Sequence, residues 1–428
     1  MQNSLMQGEW SMEEKIKLLK DCRVLDFTNE TAFLCGKILG DLGADVIKVE
    51  KPGGDESRNL GSFYKNMPDP EKNLYWFSYN HNKRGITLDI ETETGKEILL
   101  KLVETTDIFL ETFAPGYLQK LGLDYAALSR INPRLIMTSI TPFGQSGPYK
   151  DYKGSDLVLI AMSGFMSVLG DVDKPPVRPT LPQSYVWIGM HAAEGTLMAY
   201  YHRGMTGEGQ HVDVSGQAGV IWALSIAPSF YDLNRELPTR AGSFITGRSI
   251  TGAILRAVYP CKDGYLAYII YGGPAGIRTN KRLVEWMDSK GMAPDHLKNK
   301  DWSKFDIATV TQEEIDQLEK AYTEFFKTVT KEEFFKYVLE NDMLGYPVAT
   351  AKELLEDEQL KARGLWQEVE HEELGTTITY PAFSTKLSSI ACGFWRRAPL
   401  IGEHNEEVYG EIGLSKSDIL RLKKTNVI

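Results

Sequence analysis

The chain of 428 residues is 42% hydrophobic and 25% charged, with a formal net charge of −10. This length exceeds that of a usual single core, so we expect a folded protein with two domains, or with one domain and a large insertion. The negative charge argues against a general nucleic-acid-binding protein, since phosphate binding needs a basic face, although a local basic pocket stays open.

The sequence predicts neither a membrane protein nor a metal protein. No run approaches the ~20 apolar residues that span a bilayer, and the N-terminal residues lack the apolar core of a signal peptide. We therefore expect a cytoplasmic location and no membrane partner. The cysteines show neither pairing nor metal-ligand spacing, so we interpret them as reduced core thiols and expect no metal. They are Cys22, Cys35, Cys261 and Cys392.

The first elements predict a β-α-β unit. Residues 1–20 read as a charged leader helix, and CRVLDFTNE follows as an apolar strand that ends in polar turn residues. TAFLCGKILGDLGA has apolar residues at helical spacing, and DVIKVEKPGGDESR is a strand that ends in a glycine turn. This unit opens an α/β domain whose strands share a crevice at their carboxyl ends.

The glycine turn KPGGDESR has two interpretations. Lys51 and Arg58 flank Gly53 and Gly54 at the end of a strand, where two cations and a backbone turn can hold a phosphate. The other interpretation is an ordinary solvated turn. Neither a GxGxxG nor a Walker sequence is present, which argues against a standard dinucleotide or P-loop site.

From Tyr75 the alternation of strands and helices continues. We predict strands at ITLDI, DIFLETF and LIMTSI, with helices at GKEILLKLVETT and LQKLGLDYAALSRI. Cations recur at the joints between these elements, and such a cluster suits an anionic ligand that carries phosphate, although each cation alone is typical of a surface charge. They are Lys83, Arg84, Lys120 and Lys153.

The stretch 148–210 predicts two buried helices joined by an irregular, Pro-rich crossing, with the second helix ending at TGEGQ. Such a crossing is held rigidly, as a catalytic loop must be. The loop PTLPQSYVWIG presents Gln183, Ser184 and Tyr185, and none of these is an acid.

The remainder predicts a middle domain and a return segment. After strand HVDVSGQAGVIWAL, residues 225–340 change to a hairpin followed by helices, which favours a smaller α+β domain. The tail ends in an amphipathic helix carrying Leu420 and Leu422. We therefore divide the chain into residues 1–224 and 341–428, which form a large α/β domain, and residues 225–340, which form the small one.

Several motifs together resemble the class III CoA-transferases, the family of formyl-CoA transferase and carnitine CoA-transferase. The likeness covers nearly the whole chain in order. Its segments are VLDFT, ADVIKVEKPGGDESR, NKRGITLDIETETGKEILLKLVETTDI, ETFAPGYLQKLGLDYAAL, NPRLIMTSITPFGQSGPY, GSDLVLIAMSG, TGEGQHVDV and APLIGEHNEEVYGEIGL.

The resemblance implies a fold, an assembly and a ligand. It implies a Rossmann-like large domain made from both chain ends, a small middle domain, and two chains interlocked as a dimer. It also implies that CoA or acyl-CoA binds as a substrate. Matched motif by motif, the family's CoA-contacting positions are Lys51, Arg84, Phe113, Lys120 and Lys153.

The chain departs from the family at the catalytic position. The resemblance implies an aspartate nucleophile four residues before the glycine of GMHAAEG, and that position is Tyr185, or Ser184 or Gln183 with a local gap. The first loop, TNETAFL, has Thr31, Phe33 and Leu34 where relatives carry Gln and a Gly-Pro pair, and Ile160 replaces a family glutamine. Asp156 fits a position of the family that is not nucleophilic. The catalytic residue is therefore unknown from sequence.

Two functions follow from these departures. The first is a subunit of a hetero-oligomeric CoA-transferase that moves CoA between an acyl-CoA, such as succinyl-CoA, and a carboxylic acid, with a homologous sister subunit supplying the aspartate. Benzylsuccinate CoA-transferase, built from two different family members, is the precedent, and it suggests a role in the degradation of aromatic compounds. The alternative is an acyl-CoA racemase or isomerase-like homodimer with another acid or base. Among carboxylates elsewhere in the fold that could take the place of the missing aspartate, Glu30 on the first loop is the nearest candidate by sequence. Aromatic residues near the expected pocket favour a bulky or aromatic acid, although they also suit a core: Phe33, Phe165, Tyr185 and Trp187.

Overall fold

A computed structural model describes residues 16–428, which divide into two compact units. The first unit contains the chain through Phe165, then Arg178–Ser229 and Glu358–Ile428, and the second contains Met166–Val177 and Phe230–Asp357. The predicted middle segment, 225–340, is shorter than the second unit. Most of the predicted leader helix lies outside the described residues, and its last part contains a short strand instead.

Residues 16–428 form the strands β1 to β15. They are β1 (Ile16–Lys17), β2 (Arg23–Phe27), β3 (Asp45–Glu50), β4 (Lys83–Thr87), β5 (Ile108–Glu111), β6 (Ile136–Thr141), β7 (His211–Ser215), β8 (Phe244–Ile245), β9 (Leu255–Arg256), β10 (Val258–Cys261), β11 (Gly264–Ala267), β12 (Tyr346–Pro347), β13 (Trp366–His371), β14 (Thr376–Pro381) and β15 (Ile390–Ala391).

The same residues form the α-helices α1 to α17. They are α1 (Phe33–Asp41), α2 (Leu74–Asn80), α3 (Glu93–Val103), α4 (Tyr117–Leu121), α5 (Tyr125–Ile131), α6 (Asp156–Met162), α7 (Gln183–Thr206), α8 (Gly216–Ile221), α9 (Ile226–Asn234), α10 (Gly273–Ser289), α11 (Asp295–Lys298), α12 (Gln312–Phe326), α13 (Lys331–Glu340), α14 (Ala351–Glu356), α15 (Glu358–Ala362), α16 (Asn405–Glu411) and α17 (Lys416–Lys424).

The first unit is organised on a six-stranded parallel sheet with the order β4-β3-β2-β5-β6-β7. Its inner strands are rich in apolar residues because helices bury both faces, and the buried charges Asp26 of β2 and Lys48 of β3 interrupt them. The strand order reverses between β2 and β5, and ligands of open α/β sheets bind beyond the carboxyl ends of the strands at such a point. The predicted Rossmann-like α/β fold is confirmed.

Helices from distant parts of the sequence cover the two faces. On one face, Val408 of α16 and Leu422 of α17 join Leu25 of β2 in a single buried cluster. On the other face, Ile188 of α7 packs in a cluster with Val24 of β2. The predicted C-terminal helix is therefore present, and it buries Leu422.

Three details of the α/β part differ from prediction. The predicted strand HVDVSGQAGVIWAL ends at Ser215, because the Ser215 side chain accepts a hydrogen bond from Ala218 N and caps helix α8. The predicted helix LQKLGLDYAALSRI is broken into α4 and α5, because Gly122 adopts φ 73° and Asp124 then caps the second helix by accepting a hydrogen bond from Ala127 N at 3.0 Å. Strand β4 begins at Lys83, before the predicted ITLDI, because Lys83–Thr87 is the part that pairs with β3.

The two helices predicted in 148–210 are present as α6 and α7, and α7 ends at the predicted TGEGQ, where Gly207 has φ 82°. The predicted catalytic loop is wrong in one respect. Helix α7 begins at Gln183, so the residues from Gln183 to Gly189 form its first two turns rather than a loop. Their side chains therefore have helical spacing.

The second unit is an α+β arrangement. An antiparallel sheet has the order β10-β11-β12, and β8 pairs separately with β9. Aromatic side chains from the sheet and from α12 form its core: Tyr259, Tyr268, Tyr322, Phe325 and Phe326. Across both units, no helix among residues 16–428 combines the length and the apolar character needed to cross a bilayer.

Candidate functional site

A cavity of about 450 Å³ lies at the carboxyl ends of β2 to β5, at the point where the strand order reverses. We call it the first cavity. Its wall comes from the segments that directly follow these strands. They include Glu30 after β2, Lys51 and Ser57 after β3, Asp89 after β4, and Thr112 and Phe113 after β5.

Two predicted ligand-binding residues, Lys51 and Phe113, lie together in this wall. The Lys51 side chain is 71% exposed, and its Nζ lies 3.5 Å from the exposed carboxylate of Glu91. A surface ion pair of this kind is weak, so the ammonium is available to an anionic ligand. Gly53 and Gly54 have φ values of 93° and 98°, which a glycine turn allows.

Two fully buried lysines hold the first loop, which lies between β2 and α1, by hydrogen bonds to its backbone. Lys48 Nζ donates to Thr28 O at 2.5 Å and to Asp26 O at 3.2 Å. Lys83 Nζ donates to Phe33 O at 3.1 Å and to Asp26 Oδ2 at 2.8 Å. Because the lysines bind carbonyls at both ends of the loop, the loop position depends on them.

The pKa shifts of Asp26 and Lys83 explain why this charged network is stable in the protein interior. Burial alone raises the pKa of Asp26, but Lys83 and Lys48 outweigh it and hold that pKa below its usual value. Burial lowers the pKa of Lys83, and the charge of Asp26 partly restores it. The pair is therefore ionised and hydrogen-bonded, as buried charges must be.

Two polar contacts fix the middle of the first loop. Asn29 N donates to Thr112 Oγ1 at 2.9 Å, and Glu30 N donates to Ser57 Oγ at 3.3 Å. Ser57 Oγ in turn donates to Glu30 Oε2 at 2.7 Å. The Glu30 carboxylate is thus oriented in the wall of the first cavity.

Tyr185, at the family's nucleophile position, is part of a reciprocal contact between two helices. Its hydroxyl accepts a hydrogen bond from Asp156 N at 3.2 Å, at the first residue of α6. Asp156 Oδ1 accepts from Ser184 N at 3.0 Å and from Ser184 Oγ at 2.8 Å, at the start of α7. Each helix start is capped by the other helix, so Tyr185 and Asp156 have structural roles.

The phenol of Tyr185 is not a nucleophile in this setting. Burial raises its pKa, the Asp156 amide opposes this, and the negative charge of Glu30 raises it again. The hydroxyl therefore stays protonated at neutral pH. Glu30 is thus the carboxylate of the first loop whose charge acts on Tyr185.

Arg84 lies elsewhere. It belongs to the amino end of β4, whereas Lys51 follows the carboxyl end of the neighbouring β3. Its guanidinium pairs with Asp45 at 2.6 Å, with Glu407 at 2.8 Å and with Glu411 at 2.6 Å. The structure does not bring Arg84 to the first cavity, and its role as a CoA ligand stays a prediction that this geometry does not support.

Arg58, a candidate phosphate ligand in KPGGDESR, is also structural. Its side chain is 1% exposed and pairs with Glu50 at 2.6 Å and with Glu71 at 3.0 Å. It also lies over the Trp76 ring at 3.7 Å. The glycine turn therefore offers Lys51 alone to a ligand.

Lys120 and Lys153 are both exposed. Lys120 is in α4, and Leu118 and Gln119 of that helix line a second cavity of about 200 Å³. Lys153 is in the turn before α6. Neither residue lines the first cavity, although Phe113 lines both cavities.

The aromatic residues of the first cavity are not the predicted ones. Phe33 is buried against Trp76, with ring centroids 5.4 Å apart, so it belongs to the core. The rings that line the first cavity are Phe27, Phe113 and Tyr117, with Phe113 stacked on Tyr117 at 4.8 Å. These three rings give the first cavity an apolar wall.

Sequence reasoning missed a polar cluster in the second cavity. Glu111, Ser139 and His211 line it from three neighbouring strands. Ser139 Oγ lies 2.8 Å from His211 Nε2, and it also hydrogen-bonds Glu111. The signal was available, because Glu111 is a charged residue at the end of the apolar run DIFLE.

All four cysteines lie among the described residues. Cys22 and Cys35 are buried, and burial raises the pKa of both to about 12, so these two are inert core thiols as predicted. Cys261 is half-buried. Within residues 16–428 there is no group of three His, Cys, Asp or Glu side chains placed to hold a metal ion.

Comparison with known families gives one match across most of the chain. A family model described as CoA-transferase family III matches residues 19–405. The fold is similar to the crystal structure of a CAIB/BAIF family protein from Brucella suis, with a TM-score of 0.78 and 26% identity, covering 93% of this chain and 100% of that one.

Individual relatives are similar over their full length. The chain is 34% identical over 411 residues to the succinyl-CoA:(R)-benzylsuccinate CoA-transferase subunit BbsE of Thauera aromatica, covering 95% of this chain and 97% of that protein. It is 32% identical over 428 residues to the formyl-CoA:oxalate CoA-transferase of Streptomyces coelicolor, covering 96% and 99%.

Proposed function

The chain belongs to CoA-transferase family III, and from this we propose that it is a subunit of an enzyme that moves CoA from an acyl-CoA, such as succinyl-CoA, to a carboxylic acid. A homologous sister subunit supplies the aspartate nucleophile. The enzyme class is that of the relatives, while the division of labour between two subunits is the proposal.

One observation supports the proposal that the sister subunit supplies the nucleophile. The position where the family implies an aspartate holds Tyr185, and its hydroxyl is engaged by Asp156 N at 3.2 Å. A phenol that stays protonated cannot replace a carboxylate in anhydride formation. The neighbouring Ser184 is fully buried and bonded to Asp156, so it offers no substitute.

The chemistry then takes place on the sister's carboxylate. One of its oxygens attacks the thioester carbonyl carbon, the C–S bond breaks, and CoA leaves as the thiolate. The thiolate returns to the enzyme carbonyl and releases the first acid. The second acid repeats these steps in reverse and leaves as the new acyl-CoA, so no other reactant is needed.

In this chain the first cavity is proposed to hold CoA. Lys51 is an exposed cation beside an apolar wall, and Phe113 supplies part of that wall. Lys120 and Lys153 remain proposed contacts for the outer phosphates, because both are exposed. Arg84 is left out, since three carboxylates already bind it.

The name of one relative and an exposed apolar surface of this chain both support a partner subunit. One relative is named as a subunit of a CoA-transferase. In the first unit, large apolar side chains are exposed on α7, in the turn after α8 and on α9. They are Met198 at 61%, Tyr201 at 71%, Trp222 at 70% and Ile226 at 77%. Exposed apolar side chains in such number mark an interface, and the interlocked arrangement is proposed to cover them.

The acyl substrate is proposed to be bulky or aromatic. The support is the aromatic wall of Phe27, Phe113 and Tyr117 in the first cavity, where Phe113 stacks on Tyr117 and Phe27 is tilted against Phe113 with centroids 6.0 Å apart. A role in the degradation of aromatic compounds rests on this wall and on the relative named for benzylsuccinate.

One observation favours the alternative function. Glu30 places a carboxylate in the wall of the first cavity, close to Tyr185. A carboxylate there is able to remove a proton next to a thioester carbonyl, as an acyl-CoA racemase or isomerase requires. This function needs no sister subunit.

The two functions are separated by purification of the native complex and identification of its chains by mass spectrometry. The proposal expects a second family member with an aspartate at the position of Tyr185. A homodimer that exchanges the proton next to the carbonyl of an acyl-CoA for deuterium, without transferring CoA, contradicts the proposal and supports the alternative.

A further inference from the structure

A buried carboxyl group ends β5 and holds the loop that leads to the first cavity. Glu111 is 3% exposed, and its Oε2 accepts a hydrogen bond from Phe113 N at 2.6 Å. The residue between them, Thr112, accepts from Asn29 N at 2.9 Å and so joins this loop to the first loop. The position of the Phe113 ring in both cavities therefore depends on the bond to Glu111.

Glu111 is connected to solvent by a short hydrogen-bonded chain. Its carboxyl group interacts with Ser139, its register partner on β6, and Ser139 Oγ lies 2.8 Å from Nε2 of the partly exposed His211. The Ser139 hydroxyl has one hydrogen, so it donates either to an ionised Glu111 or to His211. When Glu111 is protonated, it donates to Ser139, and Ser139 donates to an unprotonated Nε2. When Glu111 is ionised, Ser139 donates to it and Nε2–H donates to Ser139.

The surroundings place this exchange near neutral pH. Burial raises the pKa of Glu111 to about 7, the bonds from Ser139 and Phe113 N oppose the rise, and Asp213 on β7 adds to it. His211 faces Ser139 from β7, and burial lowers its pKa although Asp213 opposes this. From α5, Tyr125 stacks on His211 at 5.6 Å.

We propose that Glu111, connected through Ser139 to His211, is a positioning residue that fixes the loop of residues 112–116 and so sets the affinity of the first cavity for CoA. Ionised Glu111 holds Phe113 N by a charge-assisted bond, which is stronger than the bond to a neutral carboxyl group. The bond from Phe113 N lowers the pKa of Glu111, so protonation favours loss of this bond while Glu111 stays buried, and the loop is held more firmly above the titration of Glu111 than below it. Complete unfolding exposes Glu111 and has the opposite pH dependence. This inference rests on the proposed function only in taking CoA as the ligand.

The test is the affinity for CoA measured by titration calorimetry between pH 6 and pH 8.5 on the full chain. The wild type is expected to bind CoA about fivefold more weakly at pH 6 than at pH 8. Glu111→Gln keeps the weak affinity at every pH. Ser139→Ala removes a bond that stabilises ionised Glu111, so the midpoint moves to higher pH. Glu97→Gln, at an exposed position of α3, is the matched control and keeps the wild-type profile.

Two measurements exclude other causes. Dephospho-CoA lacks the 3′-phosphate, whose own titration near pH ~6 would also change binding. Hydrogen exchange of the Phe113 amide, corrected for the intrinsic pH dependence, is expected to slow above pH 7 in the wild type and not in Glu111→Gln, and this readout needs no ligand. A wild-type profile in Glu111→Gln, or a Phe113 amide whose protection does not change with pH, overturns the proposal. Absence of CoA binding in all variants, with the exchange difference present, overturns the proposed CoA site instead.

Discussion

Lys83 Nζ lies 2.8 Å from Asp26 Oδ2, and neither side chain is exposed to solvent. Asn80 Oδ1 and Phe33 O accept the other two hydrogens of this ammonium, at 2.9 Å and 3.1 Å. All three donors of Lys83 are thus used beneath the first loop, and the first loop carries Glu30 into the first cavity. The pair therefore connects a buried charge to the shape of the candidate site.

We expect Lys83→Met to destabilise the chain strongly, because it leaves the buried Asp26 carboxylate without its nearest cation. Breaking a buried pair in this way costs about 3–5 kcal/mol of unfolding free energy. The measurement is urea denaturation followed by circular dichroism. Lys174→Met is the control, since that lysine is 65% exposed and forms a surface pair with Asp171. Equal losses in the two variants would contradict the role given to Lys83.

Tyr185→Phe is expected to leave CoA transfer by the native complex unchanged. The substitution removes the acceptor of the Asp156 amide and keeps the ring, so it costs about 1 kcal/mol of unfolding free energy and no nucleophile. Transfer is measured as the formation of new acyl-CoA by liquid chromatography. A loss of transfer by more than tenfold without a change in assembly would give the Tyr185 hydroxyl a chemical role.

Lys51→Ala is expected to weaken CoA binding about tenfold, because one charge-assisted contact to phosphate is lost. The residue is exposed, so stability should not change. Titration calorimetry of the full chain gives the affinity, and Lys174→Ala provides a control with an exposed lysine in the other unit. Unchanged affinity in Lys51→Ala would remove the first cavity as the CoA site.

The sequence predicted the sheet well because buried parallel strands are rich in apolar residues. β2, β3 and β5 have this composition despite the buried charges Asp26, Lys48 and Glu111. The sequence did not predict that Lys83 and Arg84 lie in different surroundings. They are adjacent in the sequence, and both precede the predicted strand. Successive side chains of a strand point to opposite faces. One of these cations therefore meets Asp26 and the other meets Asp45.

The candidate site was predictable only in part. Matching motifs placed Lys51 and Phe113 in one cavity, since both directly follow parallel strands. The mutual capping of Asp156 and Tyr185 depends on two helix starts that are far apart in sequence, and no local pattern indicates it. Glu111 and His211 were missed for the same reason, because Ser139 joins them across three strands.

The stability of the chain is expected to fall as the pH rises through the titration of Glu111. Its folded pKa of about 7 lies above the ordinary value of 4.5. The folded state therefore binds a proton more tightly, so this group favours folding most below its unfolded pKa, and the advantage is lost as the pH approaches and passes 7. The change amounts to about 3 kcal/mol between pH 4 and pH 8.

Glu111→Gln removes this titration, so the difference in unfolding free energy between variant and wild type should move in favour of the variant as the pH rises. Urea denaturation at pH 5, 6, 7 and 8 measures it, with Glu97→Gln as the exposed control. A constant difference between Glu111→Gln and the wild type across this range would mean that Glu111 does not titrate there.

The last prediction concerns catalysis by this chain alone. We expect the purified chain without a sister subunit to transfer little or no CoA from succinyl-CoA to aromatic acids. The first two turns of α7 present an amide, a hydroxyl and a phenol, and Tyr185 is held by Asp156. Incubation with succinyl-CoA followed by hydroxylamine or borohydride traps any acyl-enzyme, and mass spectrometry locates it. Glu30 is the candidate carboxylate on the first loop, since it lines the first cavity and its charge raises the pKa of Tyr185. An adduct on Glu30 that is lost in Glu30→Gln would show that this chain has its own nucleophile, whereas no adduct on this chain and one on the sister subunit of the native complex is the expected result.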